Sequence, residues 1–278
     1  MRRVWKRGRL ALRLTFVTVF GLVLAFPLIY LLLGSVMSTA QLTSFPPQIF
    51  PSGLHLNNFS AAWQYVQVRS VINSVVFTVA VVGLQWALCI MGGFALAKMQ
   101  FRHKNLIMGS LGLSLFVPAV TTLVPTFIVA EKLHLVNTYP GLIIPIVAQT
   151  GFGTILFRQF IVSLPDELIA AARLDGAHWT TVLIRVVVPL AKPMSGAYCA
   201  LAGVTAWNMY LWPLVVANTP SVQVLPQTLA PLASSTYGSQ IPENVAFAAT
   251  VITTLPMVVV FLIAQRSFVR GLAGSGVD

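Results

Sequence analysis

The stretch that decides the fold is Val71–Ala97, which reads VINSVVFTVAVVGLQWALCIMGGFALA and contains no Lys, Arg, Asp or Glu. A helix that crosses the hydrocarbon core of a bilayer needs about 20 mostly apolar residues. The apolar residues do not alternate with polar ones as they do in a barrel strand, and a helix satisfies its own backbone hydrogen bonds in lipid. The stretch therefore predicts a transmembrane helix.

Similar apolar stretches recur along the whole chain. The other five are Leu14–Val36, Leu106–Ala130, Leu142–Val162, Met194–Ala217 and Val245–Ala264. Of the 278 residues, 57% are apolar and 8% are charged, whereas about 25% are charged in an ordinary soluble domain. These features predict an all-α integral membrane protein in which residues 1–278 form one domain with six transmembrane helices.

The basic residues predict the orientation of these helices. All but two of the 17 Lys and Arg residues lie before the first stretch, between the second and third, around the loop that joins the fourth and fifth, or after the last. The exceptions are Arg69 and Lys132. Because positive charge is retained on cytoplasmic flanks, both termini are expected in the cytoplasm. The net charge of +11 is therefore attributed to membrane topology, and nucleic acid is not expected as a partner.

The sequence lacks the residue patterns that disulfide, metal, ATP-binding and catalytic sites need. Cys89 and Cys199 each lie alone in an apolar stretch, and the four histidines are scattered without metal-ligand spacing. A phosphate-cradling Gly-x-x-x-x-Gly-Lys run is absent, so this chain is expected to bind no ATP and no other cofactor. The sequence also lacks a recognisable nucleophile with its base, which disfavours a membrane-embedded enzyme.

One loop has an organised pattern, namely residues 163–193, which read SLPDELIAAARLDGAHWTTVLIRVVVPLAKP. Ser163 followed by Asp166 predicts a capping box at the start of a short helix. Asp175 and Gly176 predict its end, with a positive φ at the glycine. A second short helix is expected over Trp179–Val187, ending before Pro189. The loop is thus predicted to be a two-helix elbow on the cytoplasmic surface.

This loop resembles the EAA loop of permease subunits of binding-protein-dependent ABC importers. The matching positions are Ala170-Ala171-Ala172, Gly176, Val186 and Val188-Pro189, with the spacing of the family pattern throughout. Ala170 stands where the family usually has Glu, and the two valines replace Ile and Leu. The salt bridge that such a Glu makes is therefore in doubt, with Glu167 as the nearest acidic substitute.

Other stretches resemble the carbohydrate-uptake branch of that family, in particular the smaller six-span permease of maltose or glycerol-phosphate systems. They are Asn73-Ser74, Phe157–Phe160, Trp207-Asn208, Leu211–Leu214 and Gln265–Leu272. The resemblance implies a sugar or polyol as solute and a prokaryotic inner (plasma) membrane as location. It also implies a second permease, two cytoplasmic subunits that bind ATP and Mg, and an extracytoplasmic substrate-binding protein.

Two sets of candidate site residues follow. Residues expected to couple the chain to the ATPase are Glu167, Ala170, Ala171, Ala172, Arg173, Leu174, Asp175, Gly176, Leu183 and Pro189. Among these, the apolar side chains of Ala171, Ala172, Leu174 and Leu183 are expected to enter a groove on the ATPase, with the charged ones at its rim. Residues expected along the substrate pathway are Gln149, Trp207, Asn208 and Tyr210.

Alternatives remain at this stage for both the pathway and the function. Amides at membrane depth can line a pathway or simply join helices by hydrogen bonds. The alternative to an importer subunit is a secondary transporter or channel subunit for a small neutral solute. A proton-coupled carrier should show intramembrane Asp, Glu or His, and the apolar stretches contain none.

Overall fold

The computed structural model describes residues 2–233 and 241–273, and within them every regular element is a helix. The described chain divides into two compact units. One contains residues 2–66 with 229–233 and 241–255, and the other contains residues 67–228 with 256–273. Each unit has its own internal contacts.

The first unit contains α1 (Arg2–Gly34), α2 (Thr39–Leu42), α3 (Asn57–Tyr65) and the first half of α15 (Glu243–Ala273). The apolar part of α1, Arg13–Gly34, buries none of its side chains within the described chain. Such an uncovered apolar helix is unstable in water and stable in lipid, so α1 has the surface of a membrane span.

Buried amides join the segments of this first unit. The Asn58 amide donates to the carbonyls of Ser35 and Met37, at 3.0 and 2.8 Å. Its Oδ1 accepts from the Asn244 amide at 2.8 Å, and Asn244 Oδ1 accepts from the Thr39 hydroxyl at 2.9 Å. This network ties the end of α1 to α2, α3 and the start of α15.

The second unit is built around α4 (Val68–Lys98), which confirms a helix over the stretch that decides the fold. The helices α7 (Tyr139–Val147), α8 (Gly151–Val162) and α12 (Lys192–Trp207) pack on it. At Gly93 a Cβ atom would stand 2.8 Å from the Arg158 backbone nitrogen, so α4 and α8 approach as closely as a small residue permits.

Three of the six predicted spans are not continuous helices, which corrects the sequence prediction. The stretch Leu106–Ala130 is divided into α5 (Lys104–Ser114) and α6 (Ala119–Lys132), which meet at 106°. Pro118 caps α6 in an extended conformation, and a proline cannot donate the backbone bond that would continue α5. The stretch Leu142–Val162 is divided into α7 and α8, which meet at 46°.

The remaining elements of the second unit precede or follow α12 along the chain. Before it come α9 (Asp166–Leu174), α10 (Trp179–Val182), a π-helix over Leu183–Val187, and α11 (Val188–Leu190). After it come α13 (Leu211–Val216) and the start of α14 (Leu225–Ala233). The predicted span Met194–Ala217 is therefore also interrupted, between α12 and α13.

In the part of the chain that the structure describes, two helices, Arg13–Gly34 and Val68–Lys98, are each long and apolar enough to cross a membrane. Three bent helix pairs raise the number of candidate spans to as many as five if each pair crosses as one. The count of six spans and the orientation of the chain stay predictions.

Candidate functional site

The turn between α9 and α10 has the geometry that the sequence predicts for Gly176. Its φ is +82°, in the left-handed region that favours glycine. The Gly176 N–H donates to the Arg173 carbonyl at 3.1 Å, and the Ala177 N–H donates to the Ala172 carbonyl at 3.0 Å. These two bonds form a Schellman motif, which satisfies the last carbonyls of α9 and turns the chain sharply.

This turn needs glycine because of its backbone conformation, and not because a side chain would clash with its neighbours. A Cβ atom on Gly176 would have no atom within 4 Å. A β-branched residue would therefore fit sterically against its neighbours, but it would have to occupy a φ that L-residues avoid.

Arg173 and Trp179 clamp the turn from its two sides. The guanidinium of Arg173 donates to the Ala177 carbonyl at 2.8 Å and lies 4.6 Å from the centre of the Trp179 ring. That ring packs edge-on against Phe94 of α4, with 5.9 Å between ring centres. A residue expected at the rim of an ATPase contact thus fixes the angle between α9 and α10.

The start of α9 differs from the sequence prediction. The predicted capping box is wrong, because the Ser163 hydroxyl donates to the Phe160 carbonyl at 2.7 Å and so closes α8 instead. Pro165 caps α9 with φ −54° and ψ 130°, and its side chain makes no capping bond. The Asp166 carboxylate accepts a 2.6 Å hydrogen bond from Lys98, which joins the first turn of α9 to the end of α4.

The second helix of the loop also differs from its prediction. It continues through the π-helix Leu183–Val187 and includes Pro189 within α11, whereas the sequence predicted an end before that proline. The Val188 N–H donates to the Leu183 carbonyl with the i→i+5 spacing of a π-helix, and Pro189, which follows it, has no N–H to donate. The chain then bends by 79° into α12.

A buried cluster, here called the elbow cluster, joins this loop to the helices behind it. Its members are Cys89, Ile90, Phe94, Phe157, Ile161, Ile169, Val182, Val187, Ala191 and Tyr198. They come from α4, α8, α9, α12 and the segment between α9 and α12. The loop and three long helices are therefore packed as one body.

The predicted coupling residues differ in exposure. Those that are free at the surface are Glu167, Ala170, Ala171, Asp175, Pro189 and Leu174, the last of which is 89% exposed. Ala172 and Leu183 instead pack against the elbow cluster. Most of the exposed coupling residues thus lie on α9 and at the turn, with Pro189 on α11. Two of the four apolar residues expected to face a partner, Ala172 and Leu183, serve internal packing instead. Glu167 forms no ion pair with any described residue.

A cavity of about 390 Å³ lies at the other end of α12. It is lined by Ala119, Val120, Thr122, Leu123, Thr126, Pro145, Ile146, Gln149, Thr205, Asn208, Met209, Tyr210, Leu211 and Trp212. These residues include the start of α6, the break between α7 and α8, and the break between α12 and α13. Three interruptions of apolar helices therefore meet at one cavity.

The structure brings three of the four predicted pathway residues to this cavity. Gln149, Asn208 and Tyr210 line it, whereas Trp207 is buried on another side of α12 and does not. Trp212 lines it instead, and its indole N–H donates to the carbonyls of Gly141 and Leu142, at 3.2 Å each. Trp212 is therefore fixed in place as part of the wall.

The lining amides and hydroxyls are only partly satisfied. Among the described residues, the side chains of Gln149 and Tyr210 have no hydrogen-bond partner, and the Asn208 amide donates back to the Val204 carbonyl at 2.9 Å. The Asn208 Oδ1 atom remains free to accept. The cavity therefore presents donors and acceptors that a solute can use.

Gln85 supports the wall of this cavity in a way that the sequence did not reveal. Its Nε2 donates to the Ile146 carbonyl at 2.7 Å and lies 3.5 Å from the Gln149 carbonyl. It thereby satisfies backbone left free at the break between α7 and α8. The only sequence signal was a lone amide in the middle of a long apolar helix, which did not indicate its partner.

Comparisons with known proteins agree with these features. Residues 89–274 match the family model described as binding-protein-dependent transport system inner membrane component. The chain is 32% identical over 262 residues to the sn-glycerol-3-phosphate transport system permease protein UgpE of Yersinia pestis bv. Antiqua (strain Antiqua), covering 91% of this chain and 92% of that protein. It is 30% identical over 273 residues to the arabinooligosaccharides transport system permease protein AraQ of Bacillus subtilis (strain 168), covering 97% and 95%.

A solved structure shows the same fold. A chain of a bacterial ABC transporter involved in the import of the acidic polysaccharide alginate superposes with a TM-score of 0.83 at 23% identity, covering 94% of this chain and 96% of that one.

Proposed function

The chain belongs to the family of inner membrane components of binding-protein-dependent transport systems, and from this premise we propose that it is one of two permeases in an ATP-driven importer of a sugar or related polyol. The names of its relatives support a carbohydrate or glycerol-derived solute. The second permease, two ATP-binding subunits and an extracytoplasmic substrate-binding protein complete the proposed assembly.

The observation that carries this function is the packing of the elbow and the cavity on shared helices. α12 begins at the 79° bend that follows the elbow and ends at Asn208, which lines the cavity. α4 contacts the elbow through Phe94 and the cavity region through Gln85. A displacement of α9 by a partner therefore moves the helices that shape the cavity, because closely packed interiors move as units and deform little.

The partner that displaces the elbow is proposed to be the ATP-binding subunit. Hydrolysis of ATP with Mg takes place there, and the exposed side of α9, with Ala171 and Leu174, provides an apolar contact surface. Asp175 and Glu167 surround that surface with charges that set orientation more than affinity.

The proposed topology has six spans, with both termini and residues 163–193 in the cytoplasm. The distribution of Lys and Arg supports it, since all but Arg69 and Lys132 lie on one side of the predicted spans. A reporter fused after Asp278 that is active on only one side of a membrane checks this orientation. Activity on the outside would reject it.

The function is tested with the complete assembly in proteoliposomes. Uptake of a radiolabelled sugar should require both ATP and the loaded binding protein, and the loaded binding protein should raise the rate of ATP hydrolysis. Uptake driven by a proton or sodium gradient without ATP would contradict the proposal and favour a secondary transporter.

A further inference from the structure

We propose that the cavity at the three helix interruptions is a solute-binding site of this chain itself, and that it accepts uncharged sugar or polyol units and disfavours anionic ones. The inference rests on the function proposed above and specifies the solute class. The inference depends on two features that occur together: the cavity lies where three helices break, and its lining is uncharged with free neutral hydrogen-bonding groups.

The convergence of the breaks indicates a site and not a packing defect. Backbone that leaves the helical pattern inside a membrane is stable only where protein covers it or where it lines a water-filled cavity. Here the breaks before Ala119, at Gln149 and at Asn208 all border the same space. In secondary transporters, interrupted helices that meet in this way form the solute site, and the same physical reason applies here.

The free groups match the hydroxyls of a carbohydrate. The Gln149 amide offers two donors and an acceptor, Asn208 Oδ1 offers an acceptor, and the Tyr210 hydroxyl can do either. None of these atoms has a partner among the described residues, so a bound hydroxyl need not displace an internal hydrogen bond. The ring of Tyr210 adds an apolar face of the kind that packs on the C–H groups of a sugar.

The lining has no group that could neutralise an anion. None of its fourteen residues is Lys, Arg or His, and none is Asp or Glu. A smaller adjoining cavity of about 170 Å³, which shares Gln149 and is bordered by Gln85 and Tyr198, is equally uncharged. A phosphate or carboxylate that entered this space would give up part of its hydration, and this chain's lining would supply no cation in exchange, which disfavours the anion.

Helix ends do not change this balance. The breaks between α7 and α8 and between α12 and α13 each bring a helix end and a helix start to the cavity, and their partial charges have opposite signs and offset each other. The start of α6 at Ala119 adds a partial positive charge of about half an elementary charge, which is less than the full cation that a bound anion needs.

The first experiment compares the uptake rates of four probes in proteoliposomes that contain the complete importer and its binding protein. Arabinotriose and glycerol serve as uncharged probes, and trigalacturonate and sn-glycerol 3-phosphate serve as anionic probes. ATP-dependent uptake of an uncharged probe, at a rate at least tenfold above either anion, is the expected result. Preferred uptake of an anionic probe would overturn the inference while leaving the proposed importer function intact.

The second experiment separates this site from the selectivity of the binding protein. Gln149→Ala should lower uptake of the uncharged probe by about fivefold, the loss expected for one or two neutral hydrogen bonds. Stimulation of ATP hydrolysis by the loaded binding protein should persist, since the elbow is untouched. Gln159→Ala, at an exposed position on α8 away from the cavity, is the matched control and should change neither rate.

Unchanged uptake in Gln149→Ala would overturn the inference, as would a loss of ATP stimulation equal to the loss of uptake, which indicates a structural role. Absence of ATP-dependent uptake of every probe by the unmodified assembly would instead overturn the proposed function.

Discussion

The elbow and the cavity lie at opposite ends of α12, and they differ in whether the polar groups that shape them have hydrogen-bond partners. In the elbow, Arg173, Asp166 and the last carbonyls of α9 all have partners within the chain. In the cavity, Gln149 and Tyr210 have none among the described residues. An element that transmits a displacement has to be internally satisfied and stiff, whereas an element that binds a solute has to keep hydrogen-bonding groups free.

The largest expected effect of a single substitution is at Gly176, where the two helices of the elbow join. Gly176→Val should reduce the stimulation of ATP hydrolysis by the loaded binding protein at least tenfold. Valine at φ +82° costs about 1–3 kcal/mol of strain, which the turn relieves by changing the angle of α10. The measurement is the hydrolysis rate of the purified assembly with and without the loaded binding protein.

Two matched variants separate backbone strain from side-chain size at this position. Gly176→Asn should retain most of the stimulation, because asparagine tolerates a positive φ. Gly109→Val places the same side chain at a helical glycine that also has no atom within 4 Å of a Cβ, and it should be harmless. Full stimulation in Gly176→Val would show that the elbow angle does not matter.

The next largest effect is expected from the clamp across the elbow. Arg173→Ala removes the hydrogen bond to the Ala177 carbonyl and the contact with Trp179, together worth about 1–3 kcal/mol. Stimulated ATP hydrolysis should fall about threefold to tenfold. Arg185→Ala, which removes an exposed arginine from the same loop, is the control. Equal rates in the two variants would argue against a clamp.

A smaller effect, confined to uptake, is expected at the cavity. Asn208→Leu keeps the side-chain size but removes the free acceptor, so uptake of an uncharged solute should fall about threefold to fivefold, the change expected for one neutral hydrogen bond. Binding-protein-stimulated ATP hydrolysis should stay near the unmodified rate. Asn105→Leu, at an exposed position on α5, is the control. Normal uptake kinetics at full expression would make Asn208 a packing residue.

The smallest effect is expected at the ion pair between Lys98 and Asp166. The Asp166 side chain is 87% exposed and that of Lys98 is 10% exposed, so the pair is open to solvent on the Asp166 side, and ion pairs screened by solvent contribute about 1 kcal/mol or less. Asparagine also keeps an oxygen that can accept from Lys98. Asp166→Asn should therefore leave stimulated hydrolysis within twofold of the unmodified assembly. A much larger loss would show that this surface pair, and not the turn at Gly176, sets the position of α9.

The features that the sequence predicts correctly depend on local properties. The helix over Val71–Ala97 follows from its apolar length, and the positive φ at Gly176 follows from the preference of glycine at the end of a helix. The short helix of the loop ends at Leu174, as the following Asp175 and Gly176 indicate.

The features that the sequence does not predict depend on contacts between distant residues. The break between α7 and α8 is stabilised by Gln85, which is 61 residues from the carbonyl that it binds. The Arg173–Trp179 clamp forms across a turn, where helical spacing gives no guidance. The sequence predicts that Ser163 caps α9, but its hydroxyl closes α8, because a serine between two helices can do either and the backbone conformation decides between them.

The elbow is proposed to couple the chain to ATP hydrolysis, and the cavity is proposed to bind the solute. The most direct test is the number of solute molecules taken up per ATP hydrolysed. The measurement uses proteoliposomes with the complete importer, comparing Gly176→Val with Gln149→Ala. Gly176→Val should lower stimulated hydrolysis and uptake together, whereas Gln149→Ala should keep stimulated hydrolysis and lower the ratio about fivefold. An unchanged ratio in Gln149→Ala, or full stimulated hydrolysis in Gly176→Val, would contradict the separation of the two sites.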